Sequence, residues 1–405
     1  MANSILTIDM ITRKALEILE NNLVVTRNVN RQYDDSFAQQ GAKIGSTLRI
    51  RLPDRALVTD GAALQVQDDN EQYTTLTVSS QKHIGINFTT AELTMQLDDF
   101  AERVLKPRIS QLASTVDADV CNAYKDIYAS VGTPGTTPAT SLVLLQAQQK
   151  LNEAAAMLSP RYATVNPAAN AGLVEGMKGL FNPVDIISRQ FKSGMMGENI
   201  LGYEEINMSQ SIVQHTTGSR TATASTLQMN ASITTEGTST ISIKGDSGSA
   251  TLKKGDVFNI GNVYAVNPQT RQSTGSLQQF TVTADATASG GTWSSVSISP
   301  ALYSAAHALA TVDALPLVNA YITVMGAAST QYPQNLVYHK DAIAFATADL
   351  LLPQGVDMAS RQIHNGVSLR IVRQYDINND RMPCRVDVLY GYGTIRAPLA
   401  CRLWG

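Results

Sequence analysis

With 405 residues, 43% of them hydrophobic and 16% charged, the chain can bury a real core and reads as two or three folded domains. Its 31 basic and 34 acidic side chains leave a net charge of −3, which excludes the basic stripe of a general nucleic-acid binder and suits association with copies of itself. The three cysteines are too far apart for a metal set or a disulfide framework, and no run of about 18 apolar residues is present to span a membrane. Cysteines so placed suit synthesis in a reducing cytoplasm, and the opening residues, MANSILTIDM, lack a signal-peptide pattern.

Residues 6–23 place Leu6, Met10, Ala15, Leu16, Leu19 and Leu23 at helical spacing, predicting an amphipathic N-terminal helix. A polar arm without a clean period follows. Residues 47–59 and 73–88 alternate apolar and polar residues, predicting two strands joined by the acidic tip DGAALQVQDDNEQ. Such an extended hairpin buries little of its own surface and needs a neighbour to cover it. The strongest helical period, 97–130, contains Pro107, which predicts a short helix to about residue 105 and a long one restarting at Pro107. A further helix is predicted over 141–157. From Thr216 to about Pro300 the text turns rich in Thr, Ser and Gly, in short alternating runs. That pattern predicts a small antiparallel barrel, with Tyr264, Phe280, Val282 and Val296 pointing inward. Helical periodicity is predicted again over 341–352, and two closing strands flank the turn INNDRMP. The fold class is α+β, with an all-β module inserted between two mixed stretches.

No motif carries catalytic chemistry. Gly245-Asp246-Ser247-Gly248-Ser249 and Ser304-Ala305-Ala306-His307 imitate serine-protease segments, but in the reverse order along the chain; a Gly/Ser turn is the expected reading. Asp376, Asn378 and Asp380 imitate a calcium loop, yet Arg381 stands where it needs Gly and Asp387 where it needs Glu, so a hairpin turn is expected. Gly172, Gly176 and Gly179 are too loosely spaced for a dinucleotide fingerprint. His83, His215, His307, His339 and His364 are scattered and read as structural or surface residues. No metal, cofactor or catalytic set is expected. The Thr/Ser-rich β module leaves a second reading open, a secreted adhesin or glycan-binding protein, and the protease-like segments a third, a serine hydrolase.

The order of elements resembles the major capsid proteins of tailed bacteriophages, and within them the P-twenty-two-type coat proteins, which carry an inserted β-barrel. The resemblance spans nearly the whole chain. It rests on LKKGDVFNIGNVYAVNPQTRQSTGSLQQFTVTA (252–284), HKDAIAFATADLLLP (339–353) and GVSLRIVRQYDINNDRMPCRVDVLYGYGTIRAPLACRLWG (366–405), with GSTLRIRLPDR and PRISQLASTVD nearer the start. It implies an N-terminal helix and arm (1–45), an extended hairpin loop (46–90) and a peripheral domain with a spine helix (91–135). It further implies an axial domain in two parts (136–215 and 313–365), the inserted barrel (216–312) and closing strands (366–405). The implied function is self-assembly, through pentamers and hexamers, into the icosahedral shell around a double-stranded DNA genome, which is enclosed without sequence-specific binding. The hairpin would lie over a neighbouring subunit, and a scaffolding and a portal protein would be partners. The barrel's outward loop, placed near Ser232–Thr240, is short and carries only Glu236 as a charge. Residues 54–80 contain no lysine for a covalent cross-link, so a shell held by non-covalent contacts is expected. Asp9, Glu17 and Glu20, outside the apolar stripe of the first helix, are the expected docking face for a basic scaffold helix.

Overall fold

The computed structural model describes residues 8–32, 46–59, 71–89, 106–177, 197–221, 226–379 and 381–405, together with Gly61, Ala62, Leu64 and Val66. The expected helix over 97–105 and the arm beyond residue 32 lie outside the described residues. The chain forms two compact units, Met1–Ile50 with Thr74–Val120 and Ile343–Ile395, and Arg51–Tyr73 with Cys121–Ala342 and Arg396–Gly405.

The first unit is built on one long strand, Arg381–Thr394. It pairs antiparallel with Ile343–Thr347, Val367–Arg373 and Ser80–Thr89 along different parts of its length, and Met358–His364 adds to Val367–Arg373. Leu369, Ile371, Val386, Val388 and Ile86 alternate onto one buried face. Helix α1 (Ile8–Asn22) contacts Met358–His364 and Val367–Arg373 and buries Ala15, Leu16 and Leu19, the stripe expected from spacing. Helix α2 (Lys106–Cys121) has Pro107 at its second residue, where a missing N–H costs nothing, and buries Ile109, Leu112, Val116 and Val120.

Three expectations change here. Residues 341–352 form no helix: after a short 3-10 turn, Ile343–Thr347 is a strand, buried at every position. A short, wholly apolar run carries no period of its own, and the strand pairing decides it. The stretch 73–88 is two strands rather than one. Tyr73–Val78 pairs with Ser46–Arg51, while Ser80–Thr89 belongs to the long strand's sheet. Gly391 allows the crossing, since a Cβ there would stand 2.3 Å from the Thr77 carbonyl oxygen. Finally, α2 ends at Cys121 in a 3-10 turn, Asn122–Asp126, short of the expected residue 130.

The second unit contains a seven-stranded mixed sheet in the order Ser130–Val131, Ala400–Trp404, Gln331–His339, Arg161–Val165, Tyr203–Met208, Gly197–Ile200, with Gln214–Thr216 also on Gln331–His339. Helix α3 (Ser141–Glu153) buries Leu144, Ala147 and Leu151, and α4 (Pro167–Met177) buries Ala169 and Leu173. Gly172 and Gly176 serve packing: a Cβ on Gly176 would lie 1.7 Å from the Ala139 carbonyl oxygen.

The barrel belongs to the same unit. Its strands run Ile322–Val324, Val257–Val266, Ser273–Val282, Thr292–Leu302, Thr238–Lys244, Gln228–Met229. The two edges then meet, because Ile322 N–H donates to Leu227 O and Met229 N–H to Ala320 O, each at 2.9 Å. Closure removes the open strand edges. Phe258, Phe280, Val282, Trp293, Val296 and Ile322 fill the interior. Tyr264 does not join them. A register shift between Asn259 and Tyr264, with Asn262 at φ 62°, reverses the alternation, and Val263 takes the inward place. The barrel also runs past the expected limit at 312, since Ile322–Val324 is one of its staves.

Candidate assembly surfaces

Helix α1 presents its three acidic residues in unequal ways. The Asp9 carboxylate accepts the Ser360 hydroxyl at 2.5 Å. Glu20 accepts from His364 at 2.6 Å and from the Asn365 side chain. Burial opposes ionisation of Glu20, but those hydrogen bonds and the charges of His364 and Arg31 outweigh it and hold its pKa below the ordinary value. Glu17 pairs with Lys14 on the exposed face. Asp9 and Glu20 therefore face partners within the first unit, and Glu17 is the acidic position on the open side.

The protease-like segments come to rest on other partners. Ser247 Oγ lies 2.6 Å from the Thr221 hydroxyl, and His307 accepts the Leu309 N–H and stacks on Tyr303. Asp376 caps its own hairpin turn, accepting from Asn378 N–H and the Asn379 side chain. Asp380 lies outside the described residues. Among the described residues no group of three or more His, Cys, Asp or Glu could hold a metal, and no helix is long and apolar enough to cross a membrane. Glu236 folds back to accept the backbone N–H and the hydroxyl of Ser304.

Sequence reasoning missed the buried polar anchors. Asp117 on α2 accepts the N–H groups of Val24, Val25 and Thr26 and the Thr26 hydroxyl, at 2.6–3.3 Å, tying down the turn after α1. Burial still raises its pKa. In the second unit Arg402 is fully buried and donates to Ile127 O, Gly255 O and the Thr281 hydroxyl at 2.7–3.0 Å. Burial lowers its pKa to about 10. Beside it, His215 lies 2.8 Å from Asp256 and 3.0 Å from the Tyr124 hydroxyl. A carboxylate can only accept, so His215 Nε2 donates to Asp256 and Nδ1 receives the Tyr124 proton. Asp256 also accepts Gly218 and Lys253 N–H. Burial pushes the Tyr124 hydroxyl up to about 12. The network binds the barrel's first turns to the sheet below. It is a structural clamp, since every polar end is satisfied internally.

Several large apolar side chains are exposed. Val58, Leu64 and Val66, along the hairpin segment, are 82%, 90% and 85% exposed. On the barrel, Leu317 and Tyr321 face outward, and Ile377 caps a hairpin of the first unit. Single exposed hydrophobics are ordinary; three along one segment make it a candidate contact surface.

The family described as P22 coat protein, gene protein 5, matches residues 1–402. The chain belongs to the P22 coat protein family. It is a major capsid protein, and its activity is to assemble with copies of itself into the phage shell. Family membership replaces the adhesin reading and places the coat protein in the virion capsid. Several solved capsid structures are similar to it: Mycobacterium phage Che8 (TM-score 0.48, 11% identity, covering 94% of this chain and 90% of that one) and the mature capsid of bacteriophage PhiM1 (0.44, 13%, 91% and 83%). The capsid of Staphylococcus phage Andhra is a third (0.39, 8%, 95% and 86%). No curated protein matches the chain.

Proposed function

We propose that the coat protein assembles in the host cytoplasm as pentamers and hexamers, guided by an internal scaffolding protein and joined to a portal at one vertex, and carries no catalytic activity. In this reading the first unit is the peripheral domain, the second is the axial domain with its barrel, and residues 46–90 form the hairpin that crosses to a neighbour. The observation that carries it is the near-complete exposure of Val58, Leu64 and Val66. Covering apolar area is worth about 25 cal/mol per Å², and each copy repeats the gain around the shell. The test is electron microscopy of protein co-expressed with scaffold, comparing wild type with the triple Ser variant of these residues. Closed shells from wild type and soluble, folded subunits from the variant support the reading; normal shells from the variant overturn it.

The polar face of α1 is the proposed scaffold-docking site, with Glu17 its open carboxylate and Asp9 and Glu20 holding the helix in place. Surface charge pairs are each worth only about 0–1 kcal/mol and weaken with salt, which suits a partner that must leave. Reversing Asp9 and Glu17 to Lys should reduce scaffold content in the particles. Shells of normal size with normal scaffold content would remove α1 from that role.

A further inference from the structure

One cavity of the second unit has an unbalanced charge. It measures about 130 Å³ and lies among Arg55, Tyr128, α3 and the barrel strands, with Pro268, Leu277, Pro300 and Pro398 as its apolar walls. Its other polar side chains are engaged. Lys150 donates to the Ser276 hydroxyl at 3.0 Å and lies 3.8 Å from Glu153, whose carboxylate also accepts from Gln149 at 2.7 Å. Gln279 is held by three bonds to Ser130, and Gln278 donates to the Gln279 carbonyl. Among the described residues, the Arg55 guanidinium and the Tyr128 hydroxyl lie near each other but have no hydrogen-bond or ion-pair partner, and both residues are half-buried.

Lys150 and Glu153 offset one another, which leaves the Arg55 charge uncompensated. Burial lowers the Arg55 pKa, opposed by the neighbouring Tyr128 and reinforced by the charge of Arg396, while burial pushes the Tyr128 hydroxyl up to about 12. Tyr128 is therefore a neutral donor. A guanidinium offers two parallel N–H groups that match two oxygens of a tetrahedral or carboxylate anion, and a partly desolvated site strengthens the match. We infer that this cavity is a binding site for a small oxyanion, held by the Arg55 fork and the Tyr128 hydroxyl against the proline walls. The ligand is a phosphate-like or carboxylate group, and inorganic phosphate is the probe.

The test uses full-length coat protein at constant ionic strength, with chloride replaced stepwise by phosphate, and reads the melting temperature and the ³¹P line width of phosphate. Wild type should show a saturable rise in melting temperature together with ³¹P broadening, because a ligand that binds the folded chain stabilises it by mass action. Arg55→Gln should bind at least tenfold more weakly, and Tyr128→Phe about threefold. Arg51→Gln, an exposed residue paired with Glu71, should match wild type. Among the described residues neither the Arg55 nor the Tyr128 side chain has a hydrogen bond to lose, so both variants should melt like wild type in chloride alone. Should Arg55→Gln melt early, Tyr128→Phe still decides. A wild type with no saturable phosphate dependence, or variants with the wild-type response, overturns the site.

Discussion

The inserted barrel closes on itself, whereas the hairpin segment pairs only its base strands, Ser46–Arg51 and Tyr73–Val78, and carries exposed apolar residues between them. In the barrel, Phe258, Phe280, Trp293 and Ile322 meet in a common interior, and the last strand edge bonds to the first. Along the hairpin segment the apolar residues Val58, Leu64 and Val66 point at solvent. An alternating sequence pattern therefore does not by itself say how far a strand extends: the run 47–59 is strand only to Arg51. What matters is whether the apolar face finds a partner within its own chain. The barrel buries its hydrophobic residues within its own chain, and the hairpin segment leaves Val58, Leu64 and Val66 exposed.

The contrast can be broken by mutation. Phe280→Ala empties part of a closed core and should cost about 3–5 kcal/mol in urea denaturation; a loss under about 1 kcal/mol would mean the interior is not packed as described. Replacing Arg402 by Ala leaves Ile127 O, Gly255 O and the Thr281 hydroxyl without their donor. At about 1–3 kcal/mol per buried orphan, a loss of at least ~3 kcal/mol is expected, read by the same measurement. Glu20 gives a smaller, pH-dependent effect. Its pKa is lower in the fold than its ordinary 4.5, so its contribution is present above that value and is lost as pH falls through the folded pKa. Glu20→Gln should accordingly lower stability at neutral pH and flatten the acid limb, so that variant and wild type converge at low pH. The smallest effect on the isolated subunit is expected from Val58, Leu64 and Val66 changed to Ser, within about 0.5 kcal/mol of wild type, although shells are lost. A fifth measurement tests how copies are joined. With no lysine between 54 and 80, boiled and reduced particles should run as one band near 43.5 kDa, and a ladder of oligomers would contradict non-covalent assembly.

Local patterns were readable wherever local physics decides. The apolar stripe of α1, the start of α2 at Pro107 and the inward Phe280, Val282 and Val296 all follow from spacing. Failures came where a distant strand sets the outcome. Ile343–Thr347 is strand because Arg381–Thr394 pairs with it, and 73–88 divides because its halves have different partners. Tyr264 was lost to a register shift between Asn259 and Tyr264, and a second shift follows before Val266. The polar anchors had no signal at all. Asp117 meets Thr26 across 91 positions and Arg402 meets Ile127 across 275, and nothing in either neighbourhood announces the contact. The docking face on α1 was drawn from charge pattern alone, and the structure divides its members between internal bonds and the open surface.

The two ends of the inserted module leave and re-enter the second unit side by side: Thr217 N–H donates to Thr330 O, and Ser329 N–H to Gly218 O, each at 3.1 Å. In an unfolded chain these positions are 113 residues apart, and joining them costs about 4 kcal/mol of chain entropy. A barrel that condenses first around its own interior would meet that cost before the surrounding sheet begins to pair. To the remaining strands the whole insertion would then act as a short tight turn between Gln214–Thr216 and Gln331–His339.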